Sequence, residues 1–105
     1  MERKRSLVFI YSTFPTIKDA KKIGEILVNE KLAACVNIFK LNSIFRWKGK
    51  IERTKEFGVF FKTLPEKEKA VRKRIKELHP YEVPCILSFK VKASKQFWEW
   101  VRGEI

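Results

Sequence analysis

The chain is short of the residues that build most recognisable chemical motifs. Its 105 residues include one histidine, two cysteines, one methionine, four glycines and four prolines. A single histidine excludes any HxxxH, HxH or HExxH pair, and the two separated cysteines exclude a CxxC knuckle, so the local spacings of zinc and copper sites are missing. No Gly-rich phosphate loop and no GxSxG elbow can be assembled, and the sequence predicts no enzyme. Two thiols without framework spacing are expected to stay reduced, which points to a cytoplasmic protein. No apolar run approaches the roughly 18 residues of a membrane-spanning helix. Residues 1–5 lead into only about six apolar-rich residues before Ser12, so neither an anchor nor a secretory leader is predicted.

Acidic residues are the remaining scarcity. Twelve Asp and Glu stand against 24 Lys and Arg, for a net charge of +12. Such a surface attracts polyanions, and charge alone does not choose among nucleic acid, an anionic lipid surface and an acidic partner. With only three Asn, one Gln and one Met, the same composition fits a protein of a thermophile, in which surface ion-pair networks become favourable.

What is abundant is apolar and aromatic surface. Hydrophobic residues make up 45% of the chain, with nine Phe and three Trp, so residues 1–105 are expected to form one globular domain. At this length a further packed surface, such as a subunit interface, would add considerably to a small core.

Leu7-Val8-Phe9-Ile10-Tyr11 reads as a buried strand ended by Ser12-Thr13-Phe14-Pro15. Thr16 and Asp19 start a helix over 17–30, with Ala20, Ile23, Gly24 and Leu27 on one face. A strand follows over 34–39. Residues 42–47 and 51–62 form a long hairpin around Lys48-Gly49-Lys50. Thr63 and Glu66 offer a second capping box, for a helix carrying Val71, Ile75 and Leu78. Residues 85–91 read as a strand, and 97–101 as a short aromatic helix. The order is β-α-β-β-α-β plus a C-terminal helix: an α+β, ferredoxin-like arrangement with helices packed on one side of an antiparallel sheet. In its usual strand order, 4-1-3-2, Cys35 and Cys85 lie on opposite edges, too far apart to bridge.

Side-chain chemistry concentrates in Leu78-His79-Pro80-Tyr81-Glu82-Val83-Pro84-Cys85. Each proline pushes its predecessor out of the helical region, so the turn is stiff and the helix ends near Leu78. His79, Tyr81, Glu82 and Cys85 supply donors of mixed softness for a metal ion or small ligand. They serve equally well as architecture, with His79 capping helix carbonyls and Tyr81 burying its ring. A competing reading comes from Lys55-Glu56-Phe57-Gly58-Val59-Phe60-Phe61, which echoes the base-stacking strand of RNA-recognition motifs and would make Phe57 a stacking residue on a basic surface. Glu56 stands where that signature has glycine.

Several segments together resemble the CutA family of divalent-cation tolerance proteins: Ser12-Thr13-Phe14-Pro15, Lys31-Leu32-Ala33-Ala34-Cys35-Val36-Asn37-Ile38, Trp47-Lys48-Gly49-Lys50-Ile51, Phe61-Lys62-Thr63, His79-Pro80-Tyr81-Glu82-Val83-Pro84 and Trp98-Glu99-Trp100. They span nearly the whole chain in the family's order. The resemblance implies a cytosolic homotrimer of ferredoxin-like subunits, similar in design to PII signalling proteins, with clefts between subunits. Cys35, Trp47 and Tyr81 are the residues it suggests for lining those clefts. It also implies tolerance of copper (Cu2+) or other divalent cations, with no organic cofactor and no established reaction. Members proposed to bind copper use the histidine matching His79, a cysteine where this chain has Ser12 and a second histidine where it has Leu78. Cys85 stands where the family commonly has glutamate. The metal candidates here are therefore His79, Glu82 and Cys85, with Cys35 as a further thiol.

Overall fold

The structure, a computed structural model, describes residues 5–105, so the leader expectation for residues 1–4 lies outside the described residues. The elements are β1 (Ser6–Phe14), α1 (Ile17–Asn29), β2 (Cys35–Trp47), β3 (Lys50–Thr63), a 3-10 turn (Pro65–Lys67), α2 (Glu68–Leu78), β4 (Ile86–Lys92) and α3 (Lys95–Glu104). All pairings are antiparallel and the strand order is β2-β3-β1-β4, so the expected ferredoxin-like arrangement holds.

Alternation along the strands decides the layers. Val8, Ile10, Ser12 and Phe14 of β1 and Val59, Phe61 and Thr63 of β3 are buried. The apolar ones among them meet Ala20, Ile23 and Leu27 of α1 and Val71 and Ile75 of α2 in the main core. α1 starts where Thr16 Oγ1 accepts from the Asp19 N–H at 3.0 Å. It ends in a Schellman arrangement: Leu32 N–H donates to Leu27 O at 3.0 Å and Lys31 N–H to Val28 O at 3.0 Å. Lys31 takes the left-handed position, with φ of 59°.

Three expectations need correction. Thr63 does not cap α2; its hydroxyl donates to Leu32 O at 2.6 Å, and a 3-10 turn opening on Pro65 precedes the helix. The interior of the sheet offers this buried hydroxyl a stronger partner than a solvated helix end. Residues 34–39 and 42–47 are one continuous strand rather than two segments, because β2 pairs with β3 without interruption from Cys35↔Lys62 to Trp47↔Lys50. The basic surface also lacks an extended ion-pair network: among the described residues the ion pairs are Arg74 with Glu30 and Glu77, and Arg102 with Glu66.

The opposite sheet face is covered only at one end, where Leu7 packs with Val101, Phe97 and Trp98 around α3. Beyond α3, Phe9, Tyr11, Phe39 and Phe60 form an aromatic group with ring centroids 5.4–6.3 Å apart. Leu87 and Phe89 stand nearly half exposed beside them. Gly58 makes room for this layer: a Cβ there would lie 2.6 Å from the Phe39 ring.

β1 pairs with β3 only from Phe57 onward, so residues 50–56 and their β2 partners project as a free two-stranded ribbon. Its length is about 23 Å at 3.3 Å per residue, which accounts for a long axis of 52 Å against 27 and 22 Å. The tip is a two-residue turn with φ of 51° at Lys48 and 80° at Gly49, the doubly left-handed geometry that matches strand twist.

Candidate functional site

The stiff turn after α2 holds the densest side-chain chemistry. α2 stops at Leu78, and His79 is extended (φ −70°, ψ 134°) as its following proline requires. The His79 ring lies flat on Phe14 at a centroid distance of 4.4 Å, with Tyr81 tilted at 5.1 Å. Its Nδ1 accepts from the Tyr81 backbone N–H at 3.1 Å. That contact assigns the proton to Nε2, which donates to Thr13 O at 2.9 Å with the Ser12 hydroxyl at 3.1 Å. Both ring nitrogens are therefore occupied. Burial lowers the His79 pKa, partly opposed by its bond to Thr13 and by Asp19 and Glu56. Ser12, fully buried, finds its partner in this ring.

A second half of the site gathers around Glu56, a carboxylate only 6% exposed. The Tyr81 hydroxyl donates to Glu56 Oε2 at 2.5 Å. Burial and the bond to Glu56 push the Tyr81 phenol far above its ordinary range. Burial also raises the Cys85 thiol, with the Glu56 charge adding to the effect. Tyr11 is raised by burial, then by Cys85 and Glu56. The turn thus sets an imidazole bonded to Ser12 and Thr13 beside a tyrosine whose hydroxyl meets a buried carboxylate, with Cys85 and Tyr11 near enough to feel that charge. This arrangement holds its side chains in separate hydrogen bonds; it does not present a reactive thiolate.

Of the sequence candidates, His79, Tyr81 and Cys85 come to this site, while Glu82 is exposed to solvent. Cys35 lies on β2 and Cys85 just before β4, at opposite edges, about 14 Å apart across the sheet and offset by about a further 13 Å along it, and both are free. Trp47 is at the ribbon tip, paired with Lys50. One chain therefore does not bring Cys35, Trp47 and Tyr81 together. Among the described residues no three His, Cys, Asp or Glu side chains gather as a metal-holding group. With both imidazole nitrogens engaged, a serine at position 12 and an apolar Leu78, the donors of one chain do not fit a transition-metal site.

Phe57 is not available for base stacking. It packs against the main core on the helix-covered face, because its alternation phase is that of Val59 and Phe61. Sequence patterning did not single out Glu56 or Tyr11 as members of this group. The available signal was an isolated acid directly beside the apolar stretch from Phe57 to Phe61.

Fold and site together define a ferredoxin-like α+β protein with a histidine–carboxylate turn at the end of its sheet. The family model for the CutA1 divalent ion tolerance protein matches residues 8–104. The divalent-cation tolerance protein CutA of Archaeoglobus fulgidus is 44% identical over 94 residues, covering 89% of this chain and 92% of that one. That of Thermotoga maritima is 39% identical over 100 residues, covering 94% and 99%. Among solved structures, the Archaeoglobus protein, described as periplasmic, superposes with a TM-score of 0.90 at 41% identity over 93% of this chain and 97% of that one. CutA from Synechococcus elongatus gives 0.92 at 31% identity over 98% and 93%. The chain belongs to the CutA1 family of divalent ion tolerance proteins. These relatives are named for tolerance, not for a reaction, and several come from thermophiles. No helix among the described residues is long and apolar enough to cross a membrane.

Proposed function

We propose that this protein serves divalent-cation tolerance as a homotrimer that binds copper or another divalent cation, or a small ligand, in clefts between subunits, in a PII-like signalling or scaffold role. The observation that carries this reading is the position of the incomplete site: the Tyr11–Glu56–Tyr81–Cys85 group adjoins the uncovered aromatic face at Tyr11, which stacks on Phe39 and Phe60. An apolar sheet face of this kind marks an interface, and a two-stranded ribbon is marginal in water unless another surface supports it. A second copy seated there would bring its own side chains toward a donor set that one chain leaves short. Cys35 and Trp47, remote from Tyr81 within one chain, would reach it only from a neighbour. Binding rather than turnover suits a site whose thiol is held protonated. Two unpaired cysteines on opposite edges suit a reducing compartment, which favours the cytoplasm.

Light scattering joined to metal titration tests the reading. A trimeric mass is expected, with Cu2+ or Zn2+ binding by calorimetry that weakens in His79→Ala and in Cys85→Ser. A monomer overturns the assembly. A trimer whose binding is identical in wild type and both variants overturns the metal site alone.

A further inference from the structure

The free ribbon has two chemically different faces. On one, by alternation and register, lie Leu41, Ser43, Phe45 and Trp47 with Glu56, Thr54, Glu52 and Lys50; this face continues the uncovered aromatic layer and holds both acids of the ribbon. On the other, each rung carries one cation opposite a neutral residue, Lys55↔Asn42, Arg53↔Ile44 and Arg46↔Ile51, and the row continues onto the rung at the ribbon's base, Lys40↔Phe57. Lys40, Arg46, Arg53 and Lys55 are all exposed. None takes part in an ion pair among the described residues.

This row is not explained by stability. Opposite charges across a rung would support a ribbon, whereas unpaired like charges on neighbouring rungs weaken it. A heat-adapted ion-pair network requires acids, and this face has none. Four cations on rungs about 7 Å apart along a two-stranded element, over about 20 Å, instead complement a linear polyanion. The one aromatic side chain on these rungs, Phe57, packs against the main core; those of the ribbon, Phe45 and Trp47, lie on its other side. Base stacking, the main source of single-strand affinity, is therefore unavailable, and what remains is contact with phosphates of a regular duplex.

We propose that the Lys40–Lys55–Arg53–Arg46 face of the ribbon docks on the phosphate backbone of double-stranded nucleic acid, without reading sequence. The contact differs from the sequence-based RNA reading in using cations rather than stacking by Phe57, which packs into the core, and it does not depend on the metal site or on the trimer. Four phosphate contacts give a salt slope of about −3.6, equivalent to a loss of about 150-fold in affinity between 50 and 200 mM salt.

Fluorescence anisotropy with a labelled 20-base-pair DNA duplex tests it on the intact protein. Arg53→Thr/Lys55→Thr and Lys40→Thr/Arg46→Thr keep strand propensity, and each is expected to halve the slope, leaving about 12-fold salt sensitivity. Lys21→Ala/Lys22→Ala on α1 removes the same charge and is expected to leave the slope unchanged. Equal effects from all three pairs would show attraction by net charge alone and overturn the proposal. So would tighter binding of a single strand than of the duplex, tighter binding of poly-glutamate, or no binding at 50 mM salt. Circular dichroism and thermal midpoints no lower than wild type confirm that the ribbon variants remain folded.

Discussion

Tyr81→Phe is the sharpest test of the buried carboxylate. The substitution removes one oxygen and keeps the ring against His79, 5.1 Å away. Glu56 is 6% exposed, and among the described residues the Tyr81 hydroxyl is its hydrogen-bond donor. A net bond to a charged group contributes about 1.5–3 kcal/mol, so a loss of about 2 kcal/mol per subunit is expected. The readout is guanidinium unfolding at pH 7, followed by tryptophan fluorescence at fixed protomer concentration, since any assembly makes midpoints concentration-dependent. With a guanidinium slope of about 4 kcal/mol/M, the midpoint should fall by about 0.5 M. Replacing both partners with apolar groups should remove the penalty, so Glu56→Leu/Tyr81→Phe is expected to be more stable than Tyr81→Phe alone. A single-variant loss below about 0.5 kcal/mol, the usual range for a neutral surface change, refutes the argument. A double variant less stable than the single refutes it too.

The remaining predictions concern His79 and the end of α1. Because burial depresses the folded-state pKa of His79, its stabilising contribution is complete above the ordinary value of about 6.5 and is lost as pH falls through the depressed value. Unfolding midpoints should therefore drop between pH 7 and pH 5, and the drop should be smaller in His79→Gln; equal acid sensitivity of the two proteins would contradict this. Lys31→Gly should stabilise by about 0.5–1 kcal/mol, since a left-handed lysine costs about 1–2 kcal/mol and the extra unfolded-state freedom of glycine offsets only part of that gain. Differential scanning calorimetry should show a higher midpoint, and a lower one would mean that the backbone strain at φ 59° is negligible.

The fold was largely legible because most of its signals are local. Thr16 caps the first helix as its spacing predicts, the prolines at 80 and 84 stop the second and stiffen the turn, and Lys48-Gly49 closes the ribbon. Misreadings arose where a tertiary partner outweighed a local preference. Thr63 has the spacing of a cap, yet its side chain points into the sheet and takes the Leu32 carbonyl from 31 residues away. Strand register likewise decided the face of Phe57 and Glu56. Alternation placed them on opposite sides, but only the positions of α1 and α2 say which side is covered.

The site was half legible for the same reason. His79, Tyr81 and Cys85 are near neighbours in sequence, whereas the carboxylate that holds Tyr81 lies 25 residues from it along the chain. Sequence proximity favoured a metal reading because four donor types occur within seven residues. The structure divides those donors instead: His79 turns toward Ser12 and Thr13, Tyr81 toward Glu56, and Glu82 toward solvent. A stiff turn can hold its side chains in different directions as readily as it can converge them. Convergence, if a cation is bound, must then come from donors on another copy, which ties cation affinity to assembly: dilution below the association range should abolish both together.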